Sequence, residues 1–362
     1  MRFRAIAAVS AVLLVLGPAA AAQATPTESS TTTWTTGLVS PLHLAVAPGK
    51  SVTVSEEFAS KLTNVTKDGT KTTLYSAPGW DVAGGAYRGS TLYFVESQGA
   101  GPEDTRPLAG SLKAIDAQGN VTTITDQLGA YEEQFNPDQV NTYGLSAAEA
   151  AARPNCVAQM EAAGIPVNYT GEVDSHPYAV AVRGNVAYVA DAGSNAIFSV
   201  NLHTGAISTL VVLPPRPVHI SQEAADALGL SACGGVTYSF EFVPTDIEFG
   251  PDGMLYVSSL PGGPEDGSLG MNGAVFTVDP ATGDTHMYVG GLLSPTGIAL
   301  DGSGNLYIAS LFGEGIFKVP AGSHEASLFM PAVMAADVEV SGSTLYATTN
   351  ALENGTLVSM RL

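Results

Sequence analysis

Short runs of alternating apolar and polar residues recur along this chain at intervals too regular to be chance. Pro177-Tyr-Ala-Val-Ala-Val, Pro244-Thr-Asp-Ile-Glu-Phe and Pro295-Thr-Gly-Ile-Ala-Leu align with one another, and Gly79-Trp-Asp-Val-Ala-Gly is a variant of them. Each runs through a Gly- or Asp-rich turn into a second run, as in Leu92-Tyr-Phe-Val, Ala187-Tyr-Val-Ala, Leu255-Tyr-Val-Ser and Leu306-Tyr-Ile-Ala. A third follows, such as Ala274-Val-Phe-Thr-Val or Gly315-Ile-Phe-Lys-Val, and then a fourth, such as Ala206-Ile-Ser-Thr-Leu. Period-2 alternation of β-branched and aromatic residues predicts strands, and no helical period competes across these segments. Weaker copies begin at Leu42-His-Leu-Ala-Val and Ala336-Asp-Val-Glu-Val. Six units of four short strands, about 40 residues each, predict an all-β, six-bladed β-propeller.

The last unit is one strand short, because the chain ends at Leu362 just after its third strand. A ring leaves raw edges unless it closes. The Thr-rich stretch Ser30 to Leu38, around Trp34, is therefore expected to supply the missing outer strand, with a flexible linker over 25–36 as the alternative. Long insertions run from Tyr131 to Asp174 and from Pro214 to Phe242, each joining the outer strand of one blade to the inner strand of the next. Short helical patterns begin in them at Ser146 and Ser221, and Ser146 with Glu149 forms a capping box. Loops from Ser97 to Gly110 and from Ser259 to Gly273 leave the same end of the ring, so one face is decorated. Loops on a rigid scaffold are where function concentrates.

Composition narrows the surroundings. With 45% hydrophobic and 13% charged residues, 40 Gly and 22 Pro, the chain is globular with a large core. A net charge of −20 excludes nucleic acid as a partner, since phosphate binding needs clustered Lys and Arg. Arg2 and Arg4, the apolar run Ala5 to Leu16, the Gly17-Pro18 break and the Ala22-Gln-Ala site read as a signal peptide over 1–24. The run is short for a membrane anchor. A secreted, extracellular domain over 37–362, monomeric and without membrane insertion, is expected. In that compartment Cys156 and Cys233 read as one disulfide stapling the two insertions, with two free thiols as the alternative.

Aligning the inner strands exposes acids. His43, Asp81, Ala179, Asp246, Gly297 and Asp337 share one position, and Ala45, Ala83, Ala181, Glu248, Ala299 and Glu339 lie two residues on. Both sets should face the central channel. Such acids could bind a divalent cation such as Ca²⁺, with Asp81, Asp246 and Asp337 as ligands. They could act as acid–base groups with shifted pKa values, or bond to backbone N–H groups of neighbouring blades as structure. Glu96 and Asp191 end second strands on the decorated side, where carboxylates are usually solvated, and are secondary candidates. His176 reads as a turn residue before Pro177. No G-x-S-x-G, H-E-x-x-H or phosphate loop occurs in the sequence.

The Pro-initiated strands, the Gly304-Asn-Leu-Tyr-Ile-Ala turn-strand and Gly315-Ile-Phe-Lys-Val resemble NHL-type and SMP-30-like six-bladed propellers. With Pro78-Gly-Trp-Asp and Val173-Asp-Ser-His-Pro-Tyr-Ala-Val, the chain is more similar to the secreted bacterial ScyD/ScyE family, over about Leu38 to Leu362. The resemblance implies the propeller fold and no particular activity. SMP-30-like lactonases carry a metal-binding Asn or Asp directly after the inner-strand Pro, where this chain has Tyr178, Thr245 and Thr296. The leading expectation is thus a binding or interaction module for a small molecule, peptide or glycan on the decorated face. The alternative is a metal-dependent hydrolase or isomerase using the acid ring.

Overall fold

The computed structural model describes residues 31–101, 104–263 and 268–362; the signal-peptide reading of 1–24 lies outside the described residues. Six four-stranded antiparallel sheets are the blades; five follow chain order from the axis outward, and the sixth takes its outermost strand from the start of the described chain. Their inner strands are Pro41–Val46, Asp81–Arg88, Pro177–Arg183, Phe242–Phe249, Pro295–Leu300 and Asp337–Ser341. Each inner strand packs on the next, and the last packs on the first, so the ring closes. Closure is made by Thr32–Leu38, which pairs antiparallel with Gly355–Arg361 as the outer strand of blade six. Trp34 anchors it: the indole Nε1 donates to Ser359 Oγ at 2.9 Å, and the ring meets Tyr346 edge-on at 5.5 Å.

The intervening inner-strand residues Leu44, Val82, Val180, Ile247, Ile298 and Val338 are all buried between blades. The core is accordingly a series of interblade layers rather than one central mass. A Pro-x-x start to the strand has a specific geometric consequence. Pro41 pairs with Glu56 and His43 with Ser55, so two residues oppose one at the start of the strand; Pro177, Pro244 and Pro295 begin the same bulge. A bulge re-aims one side chain. Here the residue after the Pro turns out of the ladder toward the decorated face.

A seventh four-stranded sheet, which the repeat pattern does not foretell, is built by the two insertions. Its order is Asn168–Thr170, Thr142–Leu145, Thr237–Phe240, Arg216–His219, so each insertion gives one hairpin to a shared sheet. Cys156 and Cys233 are disulfide-bonded inside a small core that also holds Met160, Ile220, Leu230 and Tyr238. Ser146 Oγ accepts from the Glu149 N–H, as expected of an N-cap. The box is not reciprocal, however: Glu149 Oε1 accepts from the Thr237 N–H at 2.7 Å, tying one insertion to the other.

Candidate functional site

The axis of the ring carries two spaces, one above the other. The upper is a cup of about 340 Å³ on the decorated face. The residues turned out by the bulges line it: Leu42, Tyr178, Thr245 and Thr296, joined by Ala336 in blade six. Apolar groups dominate the wall, among them Leu260, Leu311 and Phe312, and Phe58 (69% exposed) and Leu352 (42% exposed) stand at its mouth. Glu57, Asp81 and His176 form a polar stretch of the wall, with His176 Nε2 3.9 Å from Asp81 Oδ2.

The lower space, about 10 Å³, has room for roughly one water. Around it stand His43, Asp246, Glu248, Asp337 and Glu339, five of the six acids and histidine aligned from the sequence. Asp246 and Asp337 are fully engaged. Asp246 Oδ1 accepts from its own Ile247 N–H at 2.8 Å, and Oδ2 from Ile298 N–H of the next blade at 2.7 Å. Asp337 repeats the device, with Val338 N–H at 2.8 Å and Leu44 N–H of blade one at 2.7 Å. Each aspartate thus rivets two inner strands together. Between them Gly297 leaves no room for a side chain, because a Cβ there would run into Asp337 Oδ1.

Burial pushes the Asp246 carboxyl up to about 7, against the pull of its two N–H donors. Glu339 rises to about 8, through burial and then the Asp246 charge. Glu248 and Asp337 are also raised, by burial first and by the neighbouring carboxylates after it. His43 is the reverse case. Burial lowers its pKa to about 3, so the ring is neutral; its Nδ1 lies 4.0 Å from Asp337 Oδ2, and its ring meets Tyr178 in a T-shaped contact with centroids 4.5 Å apart.

Asp81 does not join this ring. Its strand carries an extra length of backbone between Val82, which pairs with Glu96, and Gly85, which pairs with Phe94. Gly84 therefore comes to the channel and Asp81 is left at the cup wall, its side chain 43% exposed. Among the described residues no three His, Cys, Asp or Glu side chains converge on one ion position, so a cation held by Asp81, Asp246 and Asp337 does not fit. The lactonase-type position does not fit one either. Thr245 Oγ1 and Thr296 Oγ1 instead donate to the next blade's carbonyls at Pro295 (2.9 Å) and Ala336 (2.7 Å).

The secondary candidates are buried rather than solvated. Glu96 pairs with Lys113 Nζ at 2.6 Å and accepts from the Tyr75 hydroxyl at 2.7 Å. Asp191 accepts from Ser175 Oγ (2.7 Å), His176 N–H (2.8 Å) and Ser194 N–H (3.1 Å). It thereby holds the loop that presents His176 to the cup, which gives His176 a placed role that its position before a Pro did not suggest. Glu57 and Phe58 carry no repeat signature, and sequence reasoning missed both.

No family model matches the chain, and no curated protein matches it by sequence. Solved structures do match in shape. A gluconolactonase from Xanthomonas campestris superposes with a TM-score of 0.56 at 13% identity, covering 91% of this chain and 89% of that one. A PQQ-bound aldose sugar dehydrogenase from Streptomyces coelicolor gives 0.52 at 14% identity, covering 92% and 98%. At such identities the likeness establishes the β-propeller fold and nothing finer.

Proposed function

We propose that this chain is an extracellular binding propeller of the ScyD/ScyE kind, whose ligand is a small organic molecule held in the cup. One observation carries the reading: a concave, largely apolar space of about 340 Å³ sits over a plugged axis, with a few polar groups on one side. That combination is what small-molecule sites look like. The ligand suited to it has an apolar body against Tyr178, Leu260 and Phe312 and a basic or hydrogen-bond-donating group toward Asp81 and Glu57. The net charge of −20 favours a cation over an anion. Hydrolysis or isomerisation by a metal on the channel acids has less behind it. Asp246 and Asp337 each use both oxygens on backbone N–H groups, and they line a separate space of about 10 Å³.

A thermal-shift screen of amphipathic amines, sugars and peptides tests this reading. Compounds with an apolar body and a basic group should raise Tm, and the rise should vanish in Phe58→Asp/Leu352→Asp. Both positions are exposed, so the variant should keep the wild-type Tm without ligand. A screen with no hits, or hits indifferent to that variant, would remove the cup as the binding site.

A further inference from the structure

Where the two insertions leave the ring, a second group of acids is buried under very different conditions. Glu132 lies on the helix Leu128–Phe135 and Asp138 on the following 3-10 turn Pro137–Val140; both side chains are fully buried. Asn195, also fully buried, sits in the hairpin between the second and third strands of blade three with a left-handed backbone (φ 52°). Its Nδ2 donates to Asp138 Oδ2 at 2.9 Å, and the Tyr143 hydroxyl donates to the same oxygen at 3.2 Å. Asn136 caps the helix and donates to Gly171 O at 2.9 Å. Gly171 in turn lies flush against Asp138, where a Cβ would strike Asp138 Oδ1.

What distinguishes this group is the oxygens left over. Asp138 Oδ1, Asn195 Oδ1 and Asn136 Oδ1 are buried without a hydrogen-bond partner, and the two oxygens of Glu132 have no donor beyond the backbone N–H of Asp174. Each is an acceptor, and the asparagine amide nitrogens are already used, that of Asn195 on Asp138 Oδ2 and that of Asn136 on Gly171 O. Asp174 and Glu241 add negative charge from the two insertions, and the dominant influences on Glu132 and Asp138 include no cation. Buried acceptors without donors are costly. A hard divalent cation resolves the arrangement, since Ca²⁺ takes carboxylate and amide oxygens together and completes its six to eight ligands with backbone oxygens or water. Two carboxylates with two amide oxygens is a mixed set, consistent with the lack of any three-carboxylate convergence.

We infer that Glu132, Asp138, Asn136 and Asn195 form a structural Ca²⁺ site that locks the first insertion onto blade three. The competing account is a protonated Glu132 with no ion. Its carboxyl is raised to about 9 by burial and then by Asp191, Asp138 and Asp174.

The test is terbium luminescence on the chelator-stripped full protein, with Tyr143 as the adjacent sensitiser. Sensitised Tb³⁺ emission should saturate at one ion per chain and be displaced by Ca²⁺, and Ca²⁺ alone should raise Tm. Glu132→Gln, which has the shape of the protonated acid and so should fold, is expected to weaken the affinity at least about tenfold. Asp138→Asn should do the same, whereas Glu339→Gln in the channel should leave it unchanged. Absence of emission and of any Tm response, affinity undiminished in Glu132→Gln, or loss in the Glu339→Gln control would each overturn the assignment.

Discussion

The channel aspartates and the junction acids are buried to a similar degree, and they are opposites in how that burial is answered. Asp246 and Asp337 each meet two backbone N–H groups within 2.8 Å, one from the next blade. Glu132 has only the Asp174 N–H beside it, and Asp138 has one oxygen bonded and one bare. The difference is one of address. A residue near the start of an inner strand faces a backbone N–H of the neighbouring blade's inner strand, so a carboxylate there becomes a rivet. A residue on a helix end in an insertion faces other side chains, and a carboxylate there needs a proton or a cation. Clustered acids thus report function only after their donors have been counted.

Three measurements press on this contrast. The largest effect is expected from Asp337→Ala, which strips the Leu44 and Val338 N–H groups of their acceptor at a seam of the ring. With each buried orphan costing about 1–3 kcal/mol, urea unfolding should show a loss of about 2–5 kcal/mol. A loss below 1 kcal/mol would mean the rivets are ornamental.

Next comes pH. Asp246 (about 7) and Glu339 (about 8) hold protons in the folded state that the unfolded chain releases near pH 4. The folded state therefore binds more protons between about pH 4 and 8, and stability should fall as pH rises through that window. Glu248→Gln/Glu339→Gln removes the charges below the rivets without touching the two aspartates. It should flatten the slope, gaining about 1–3 kcal/mol at pH 8 and little at pH 5. Parallel Tm profiles for variant and wild type would show that the channel glutamates ionise freely.

The smallest effect is expected from Glu132→Gln in chelator. With no ion to hold, the neutral amide should unfold within about 1 kcal/mol of wild type. A deficit as large as that of Asp337→Ala would erase the distinction between the two regions.

Much of the scaffold could be read along the chain. Strand alternation, tight turns and the recurrent Tyr are local features, so six units and the closing strand at Trp34 were visible in the spacing alone. The pairing of Cys156 with Cys233 followed from there being two cysteines on neighbouring insertions. Five channel residues were found because a repeat carries each to an equivalent height. Asp81 was misplaced for the same reason. An alignment by residue number passes through Val82-Ala-Gly-Gly without seeing that the backbone bulges there, and the bulge lifts Asp81 from the channel to the cup. The seventh sheet and the junction acids had no repeat to betray them. Glu132, Asp138 and Asn195 become neighbours only when the first insertion folds against the hairpin of blade three, a contact set by long-range packing. Periodicity encodes what each segment does with its own neighbours; which distant side chains share a dry space, and whether donors reach them there, is decided when the ring closes.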